Sequence, residues 1–530
     1  MLPDTIVAFP GAEGFGKYTS GGRGGKVVYV TTLEDDANGA TIGSLRWAMK
    51  QYPDEPLTVC FAVTGEIRLV KDLRINRKNY TIAGQTAPGF GIVITHNKVN
   101  CGGSENFIIR NIRFRVGNED AAGNFCKENA FGAENCSNFI LDHCDFGWSA
   151  EENINTFDSH FFTVQYCIVH EGLYNSGHPK GARGYGCQWG GSPASYHHNL
   201  LAHNNGRSCR FNGARNNDRV VYLDYINNVN FNYYGGSTGC HGGENTCDDR
   251  FYNGKNSVHE VNFVNNYYIK GPNTTNKRYF FVADEKRKDG DPSKGPSKWY
   301  VNGNIFDGEP TATADNWSAV VINTYTKEEA RVDTLIHTKT PYWDIDSMDV
   351  VSGLYDFDSY AYAASDFQTA QEAFQTVLDT VGCFPRDTVE RRLIRETRDN
   401  TYTYQGSKAK KKGIIDTPSD AEGFFEYPQV PALTDTDLDG MPDEWEQVFG
   451  LDPDNADNNR IHESGYTALE VYLHYAITGE NLPGEMLPQG IEMTNDQLPV
   501  TNKILRDGHI YIQRGENVYT LEGNKVRADF

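Results

Sequence analysis

Residues 6–310 carry short apolar runs separated by glycine- and asparagine-rich punctuation, a pattern that predicts strands rather than helices. Ile6–Phe15, IVAFPGAEGF, predicts a strand running into glycine turns, and Val27–Val30 predicts a second. Ser44–Gln51 predicts a short helix. Further strands are expected at Leu57–Val63, Glu66–Leu69, Tyr80–Ala83 and Gly91–Thr95. From residue 107 the pattern repeats. FIIRNIRF, FILDHCDF, FTVQYCIV, ASYHHNLL, LDYINNVNF, NFVNNYYI and YVNGNIF align without internal gaps. Their equivalent position is Ile112, Cys144, Cys167, Asn199, Asn228, Asn266 and Asn304, with spacings of 32, 23, 32, 29, 38 and 38 residues. A period of that size, built from strand-like segments, predicts a β-solenoid. The shortest spacing approximates one bare coil, and the longer ones carry loops. Asparagine recurs at one bend because it tolerates the left-handed backbone and its amide can bond to the next coil.

Near residue 310 the repeat stops. Asp366–Thr380 has apolar residues at helical spacing, and Thr388–Arg398 predicts a second helix rich in Arg and Glu. Lys408, Lys410, Lys411 and Lys412 form a basic run that reads as a solvated linker. Pro428–Pro431 marks a boundary, and a helix is expected at Tyr466–Ala476. Lys503–Val526 alternates apolar and polar residues around two glycine turns, as a small hairpin unit does. The expected organisation is therefore a β-solenoid over 1–310 and an extension with two packed helices over 311–430. An acidic loop with a helix over 431–480 and a linker with a β tail over 481–530 complete it.

The net charge of −22 excludes a general affinity for nucleic acid. It also means that a polyanionic substrate needs local positive charge or a metal. No apolar run is long enough to span a membrane, and no signal peptide is legible at the start. Of eleven cysteines, Cys136, Cys144 and Cys167 lie in or beside strands and read as small buried residues. Cys240 and Cys247 flank a glycine-rich loop, either as a disulfide or as two thiols.

Two constellations carry chemistry. Asp435-Thr-Asp437-Leu-Asp439-Gly440-Met441-Pro-Asp443-Glu-Trp-Glu446 fits the D-x-D-x-D-G calcium loop closed by a glutamate. Three alternate carboxylates wrap a hard cation, Gly440 supplies the turn, Met441 offers its carbonyl, and Asp443 and Glu446 complete the set. This site is expected to be structural. The second constellation lies on loops after three aligned strands, in Ile140–Asn153, Phe162–Lys180 and Tyr196–Arg210. They bring Glu151 and Glu152, His178 and Lys180, and Arg207 and Arg210 onto one face if the strands stack, with Asn129 one coil earlier. Such a groove suits an extended acidic polymer. A divalent cation held there withdraws charge from a substrate carboxylate and acidifies the α proton. Arginine, with a pKa above about 12, serves as a base only when desolvated beside other positive charge, here Arg210 and Lys180. Asp142 and His143 read as a structural hydrogen-bonded pair.

These residues resemble the polysaccharide lyase family 1 pectate lyases, in particular the forms from Bacteroidetes. The resemblance runs from FPGAEGFG through GGRGGKVVYVT, GSLRWAM and FAVTGEI to LDHCDFGWSAEEN, SGHPKG and YHHNLLAHNNGRSCR, over residues 5–310. It implies a right-handed parallel β-helix and calcium-dependent β-elimination of polygalacturonate. Carried over by position, Arg207 becomes the proton-abstracting base, with Lys180 and Arg210 beside it in the catalytic set. His178, Lys180 and Arg210 become substrate binders, and Asn129, Glu151 and Glu152 ligands of a catalytic Ca2+. Asn129 stands where the family usually has aspartate, and Cys209 replaces a proline between the two arginines. Asn129 favours two alternatives: a calcium-independent pectin lyase acting on methylated pectin, and a non-catalytic glycan-binding β-helix. The tail resembles carboxy-terminal sorting tails. With a polymeric pectic substrate and a weak calcium loop, it implies a monomer that is secreted or held at the cell surface.

Overall fold

The structure is a computed structural model. It describes residues 6–213, 220–233, 240–243, 258–274, 279–283, 296–323, 325–336, 341–343, 350–354 and 367–487, and in the tail 501–506, 509–514, 517–520 and 525–526. Each coil contributes one strand to each of three parallel sheets. The first sheet has eleven strands in chain order, from Lys26–Val30 to Arg331–Val332. The second, nine-stranded, runs from Leu73–Arg74 to Val320–Ile322, and the third, also nine-stranded, from Gly65–Arg68 to Ile305–Phe306. This is a parallel β-helix. The coils continue to residue 332, beyond the expected end near 310, because the last strands are too short and too interrupted by turns to show a period.

Register is in step from coil to coil. Phe139 pairs with Phe107 on one side and Phe162 on the other. The rings of Tyr80, Phe107, Phe139 and Phe162 stack inside the helix with centroids 5.1, 4.7 and 4.4 Å apart. The expected asparagine bend divides into two adjacent roles. The left-handed residue is the one before the aligned position: His198, Asn227 and Asn265 have φ of 52°, 57° and 52°. The aligned asparagines instead form an internal ladder. Asn228 Oδ1 accepts from Asn199 N at 3.0 Å, Asn266 Oδ1 from Asn228 N at 2.9 Å, and Asn304 Oδ1 from Asn266 N at 2.8 Å. Cys136, Cys144 and Cys167 are buried, as expected. The possible partner of Cys240, Cys247, lies outside the described residues.

Three expectations are corrected. Ile6–Phe15 is not a strand. It is an irregular strap across the first sheet, where Phe15 N donates to Ser195 Oγ at 3.1 Å and Gly16 N to Thr163 Oγ1 at 2.9 Å. A Cβ on Gly16 would stand 2.3 Å from the Phe139 carbonyl, so glycine is what allows this approach. The Lys408–Lys412 stretch exposes Lys408, Lys410 and Lys412 as expected of a solvated run, but it is not a loose linker. It docks beside Tyr174, whose N–H donates to the Ile415 carbonyl at 2.9 Å, with Ile414 and Ile415 buried. The tail is a four-stranded antiparallel sheet, from Thr501–Arg506 to Lys525–Val526, rather than a single hairpin.

Helices Ala370–Thr380 and Thr388–Asp399 pack on the third sheet. The second is riveted there by buried ion pairs. Arg113 reaches Glu390 at 2.6 Å, Arg115 reaches Asp145 at 2.8 Å and Asp387 at 2.6 Å, and Arg392 reaches Glu171 at 2.9 Å. The acidic loop and helices Asp443–Phe449 and Ala468–Thr478 cover the first strands of the first sheet around Val27, Tyr29 and Cys60. Among the described residues no helix is long and apolar enough to cross a membrane.

Candidate functional site

The second sheet brings the predicted loops together. Glu152 opens the strand Glu152–Asn155, Tyr185 lies directly beside it in Tyr185–Trp189, and Gly206 bridges to Tyr185 on the next coil. A cleft of about 330 Å³ lies above them, lined by Asn129, Glu151, Glu152, His178 and Lys180 together with Lys127. Arg207 enters through an ion pair between its Nη1 and Glu152 Oε1. Glu151 faces Arg183, Lys180 with its Nζ at 3.5 Å, and the neutral His178 ring with its Nε2 at 3.3 Å. Asn129 Oδ1 accepts the Glu152 N–H at 3.1 Å, which ties one coil's loop to the next. Burial pushes the His178 ring below its usual value, and Arg183 and Lys180 add to this against the opposing pull of Glu151.

Arg210 is placed differently. It stands in the strand Arg210–Phe211, in register with Gln188 and His241, and is not part of the cleft lining. Two residues missed in the sequence join the site. Tyr185 presents its ring to the guanidiniums of Arg183 at 4.5 Å and Arg207 at 4.3 Å. Arg183, in the KGARGYG stretch, had no signal beyond being one more surface charge. Asp142 and His143 are the expected structural pair, bonded at 2.8 Å, with Arg110 also on Asp142 at 2.7 Å.

The chain has relatives over most of its length. "Probable pectate lyase C" of Aspergillus flavus is 30% identical, over 88% of this chain and 93% of the relative. The protein of the same name from Emericella nidulans is 31% identical, over 88% of this chain and 92% of the relative. The chain belongs to the pectate lyase family. The enzyme is therefore a polysaccharide lyase. No family model matches. Among solved structures, the cedar pollen major allergen Jun a 1 is 14% identical, with 70% of this chain and 92% of that one covered and a TM-score of 0.45. A Bacillus pectate lyase in complex with trigalacturonate is 16% identical, with 70% and 99% covered and a TM-score of 0.39.

The lyase offers a cation two different environments. In the cleft the donors are hard oxygens, which suits calcium, but each carboxylate is already held by a guanidinium. In the acidic loop the oxygens converge. Asp435, Asp437 and Asp439 lie within 4.8 Å of one another, as do Asp439, Glu446 and Asp457. Asp437 Oδ2, both Glu446 oxygens and Asp457 Oδ1 are buried without a hydrogen-bond partner. Burial, followed by the neighbouring carboxylates, raises Asp437 to about 6, Asp439 to about 7 and Glu446 to about 8. Such crowding is what a divalent cation relieves. Gly440, at φ 101°, makes the turn, and Met441 is buried with its N–H donated to Asp439 at 3.0 Å. Asp443 departs from expectation. It opens the helix, and its oxygens take the N–H and hydroxyl of Thr436, both at 2.8 Å. Asp457 stands in the cluster instead, and nothing in DPDNAD distinguished it from Asp452 or Asp454.

Proposed function

We propose that the enzyme cleaves de-esterified polygalacturonate by β-elimination, with Arg207 as the base. The carrying observation is the cluster of Arg207, Arg183 and Lys180 around the Glu151–Glu152 pair on adjacent coils of a pectate lyase-family β-helix. In the reaction the C5–H bond breaks toward Arg207, a C4–C5 double bond forms, and the C4–O bond breaks to the leaving chain, whose oxygen takes up a proton. Lys180, 70% exposed at its side chain, is free to swing onto a substrate carboxylate. His178 stays neutral and acts as a hydrogen-bonding wall, and Arg210, on the same coil as Arg207 but in the strand that follows it, meets the polymer beside the scissile bond. The Arg207 side chain is only 17% exposed and rests on Tyr185, whose ring holds the guanidinium in place. The ring and Glu152 both favour the charged form, so Arg207 acts as a base only after Glu152 turns away and the substrate's arrival reorganises the cluster. Calcium bound beside Asn129, Glu151 and Glu152 would draw charge from the substrate carboxylate and acidify the C5 proton.

The pairing of both glutamates with guanidiniums favours one competing reading, a calcium-independent pectin lyase acting on methyl esters. Absorbance of the unsaturated product, followed on polygalacturonate and on highly methylated pectin with and without chelator, separates the two. Chelation should abolish activity on polygalacturonate. Undiminished activity on methylated pectin would establish the competitor. The acidic loop is assigned a structural calcium held by Asp435, Asp437, Asp439, Glu446 and Asp457. A pectic polymer cannot enter a cell intact, so the enzyme acts outside it, as a monomer. Deleting residues 503–530 should spare turnover of the purified enzyme but block its export from the native host.

A further inference from the structure

A second cleft, of about 610 Å³, lies far from Arg207, between the first coils and the acidic-loop module. Its size is that of a ligand site rather than a packing defect. Its floor carries Gln85, 8% exposed, whose side-chain nitrogen and oxygen both lack a hydrogen-bond partner. A buried amide with a donor and an acceptor both unmade is unusual, and it marks a place where another polar molecule belongs. Neighbouring residues supply ring surface and hydroxyls: Tyr29, Tyr472 and Trp445 line the wall and Tyr475 the rim. Tyr475 is 37% exposed, and beside it Leu433 and Val448 are 66% and 76% exposed, apolar surface that no described residue covers.

Charge narrows the ligand. Among the described residues the lining contains no lysine or arginine, and it contains Glu444, with Asp435 at its edge held by Tyr29. A uronate would meet like charge there, so the cleft suits an uncharged molecule. Ring faces beside a paired donor and acceptor are the means by which proteins hold sugar rings, whose C–H faces stack while their hydroxyls bond. We infer that this cleft is a second saccharide site, specific for neutral sugar units, separate from the groove where cleavage occurs. It would hold the enzyme on uncharged portions of a polysaccharide while the basic cluster works on acidic ones.

The test does not depend on turnover. Galactotetraose and arabinotetraose, as neutral probes, and trigalacturonate, as an acidic one, are titrated into the full-length enzyme by calorimetry and by ligand-observed NMR. At least one neutral probe should bind. Tyr475→Ala should weaken that binding about tenfold, while Tyr475→Phe keeps it. Gln85→Leu should weaken it too, and if that buried change impairs folding, the exposed Tyr475 pair still decides. Cleavage of trigalacturonate should be unchanged in Tyr475→Ala, so failure of the catalytic reading would not disturb this result. The inference is overturned if neither neutral probe binds, if binding is indifferent to Tyr475→Ala, or if trigalacturonate competes for the same cleft. A crystal structure showing only an ordered water on the Gln85 amide after soaking with both neutral probes would overturn it equally.

Discussion

Arg207 and Tyr185 define what the site asks of single residues. The Tyr185 ring lies under two guanidiniums, and a desolvated cation–π contact of this kind is worth up to about 2 kcal/mol. If the contact fixes the plane of Arg207 for proton transfer, its loss falls on kcat rather than on KM. Tyr185→Leu should lower kcat about tenfold, which is about 1.4 kcal/mol, with KM nearly unchanged. Tyr185→Phe keeps the ring and should stay within about twofold of the parent. Equal losses in the two variants would show that the tyrosine serves folding or its hydroxyl instead. Arg207→Ala and Arg207→Lys remove the proposed base and should lose about a thousandfold or more in kcat while polygalacturonate still binds. Turnover at the parental level in Arg207→Ala would end the proposed mechanism.

Individual elements show what the sequence could disclose. Apolar alternation and the aligned asparagines were legible because every coil solves the same packing problem, so a β-solenoid with asparagines bonding from coil to coil could be read from spacing, although its division into three sheets could not. Glu151, His178, Lys180 and Arg207 were legible because they follow repeat strands directly. Arg183 and Tyr185 were not, since their place depends on how a long loop re-enters the second sheet at Tyr185–Trp189. The strap at Ile6–Phe15 misled because strands and extended straps share the same local composition. The pairing of helix Thr388–Asp399 with the third sheet was equally hidden. Its partners, Arg113, Arg115 and Glu171, carry no motif or periodic signal that separates them from other charges. Buried ion pairs make this element sensitive to acid. Burial alone would raise Asp145, but Arg115 and His170 outweigh it and hold the carboxyl at about 2. Glu171, through Arg392 and His170, likewise lies well below its ordinary value against the cost of burial. Folded values below the unfolded ones mean stability present above about pH 4 and lost as pH falls through the folded values. Removing one partner strands a buried charge, so Arg392→Ala should cost about 3–5 kcal/mol in chemical denaturation at pH 7. The deficit should shrink as the pH drops toward 2. A deficit that stays constant would mean lost packing rather than lost charge.

For the whole molecule, the acidic loop is where distant parts of the chain are joined. Tyr29, in the first strand, donates to Asp435 Oδ2 at 2.5 Å, and Arg23 holds Glu470 at 2.7 Å. The loop therefore fastens the module of residues 431–487 to the coils that start the β-helix. Without a cation, crowded carboxylates oppose that closure. With one, binding to the folded state alone stabilises by about 2.7 kcal/mol at a hundredfold excess over Kd, or about 2–3 °C in Tm for a chain of this length. The proposed function gives calcium two roles, one at the loop and one in the cleft with substrate, and both would vanish under a chelator. Substitution separates them. Asp457→Asn and Asp437→Asn each leave the cleft intact, so calcium should still be required for turnover at 25 °C. In both variants the calcium-induced rise in Tm should disappear, as read by differential scanning calorimetry with chelator and with added calcium. If either variant keeps the full rise, the loop is not the stabilising site. Loss of calcium-dependent turnover together with the rise would place both roles at the loop and leave the Glu151–Glu152 cleft without a metal.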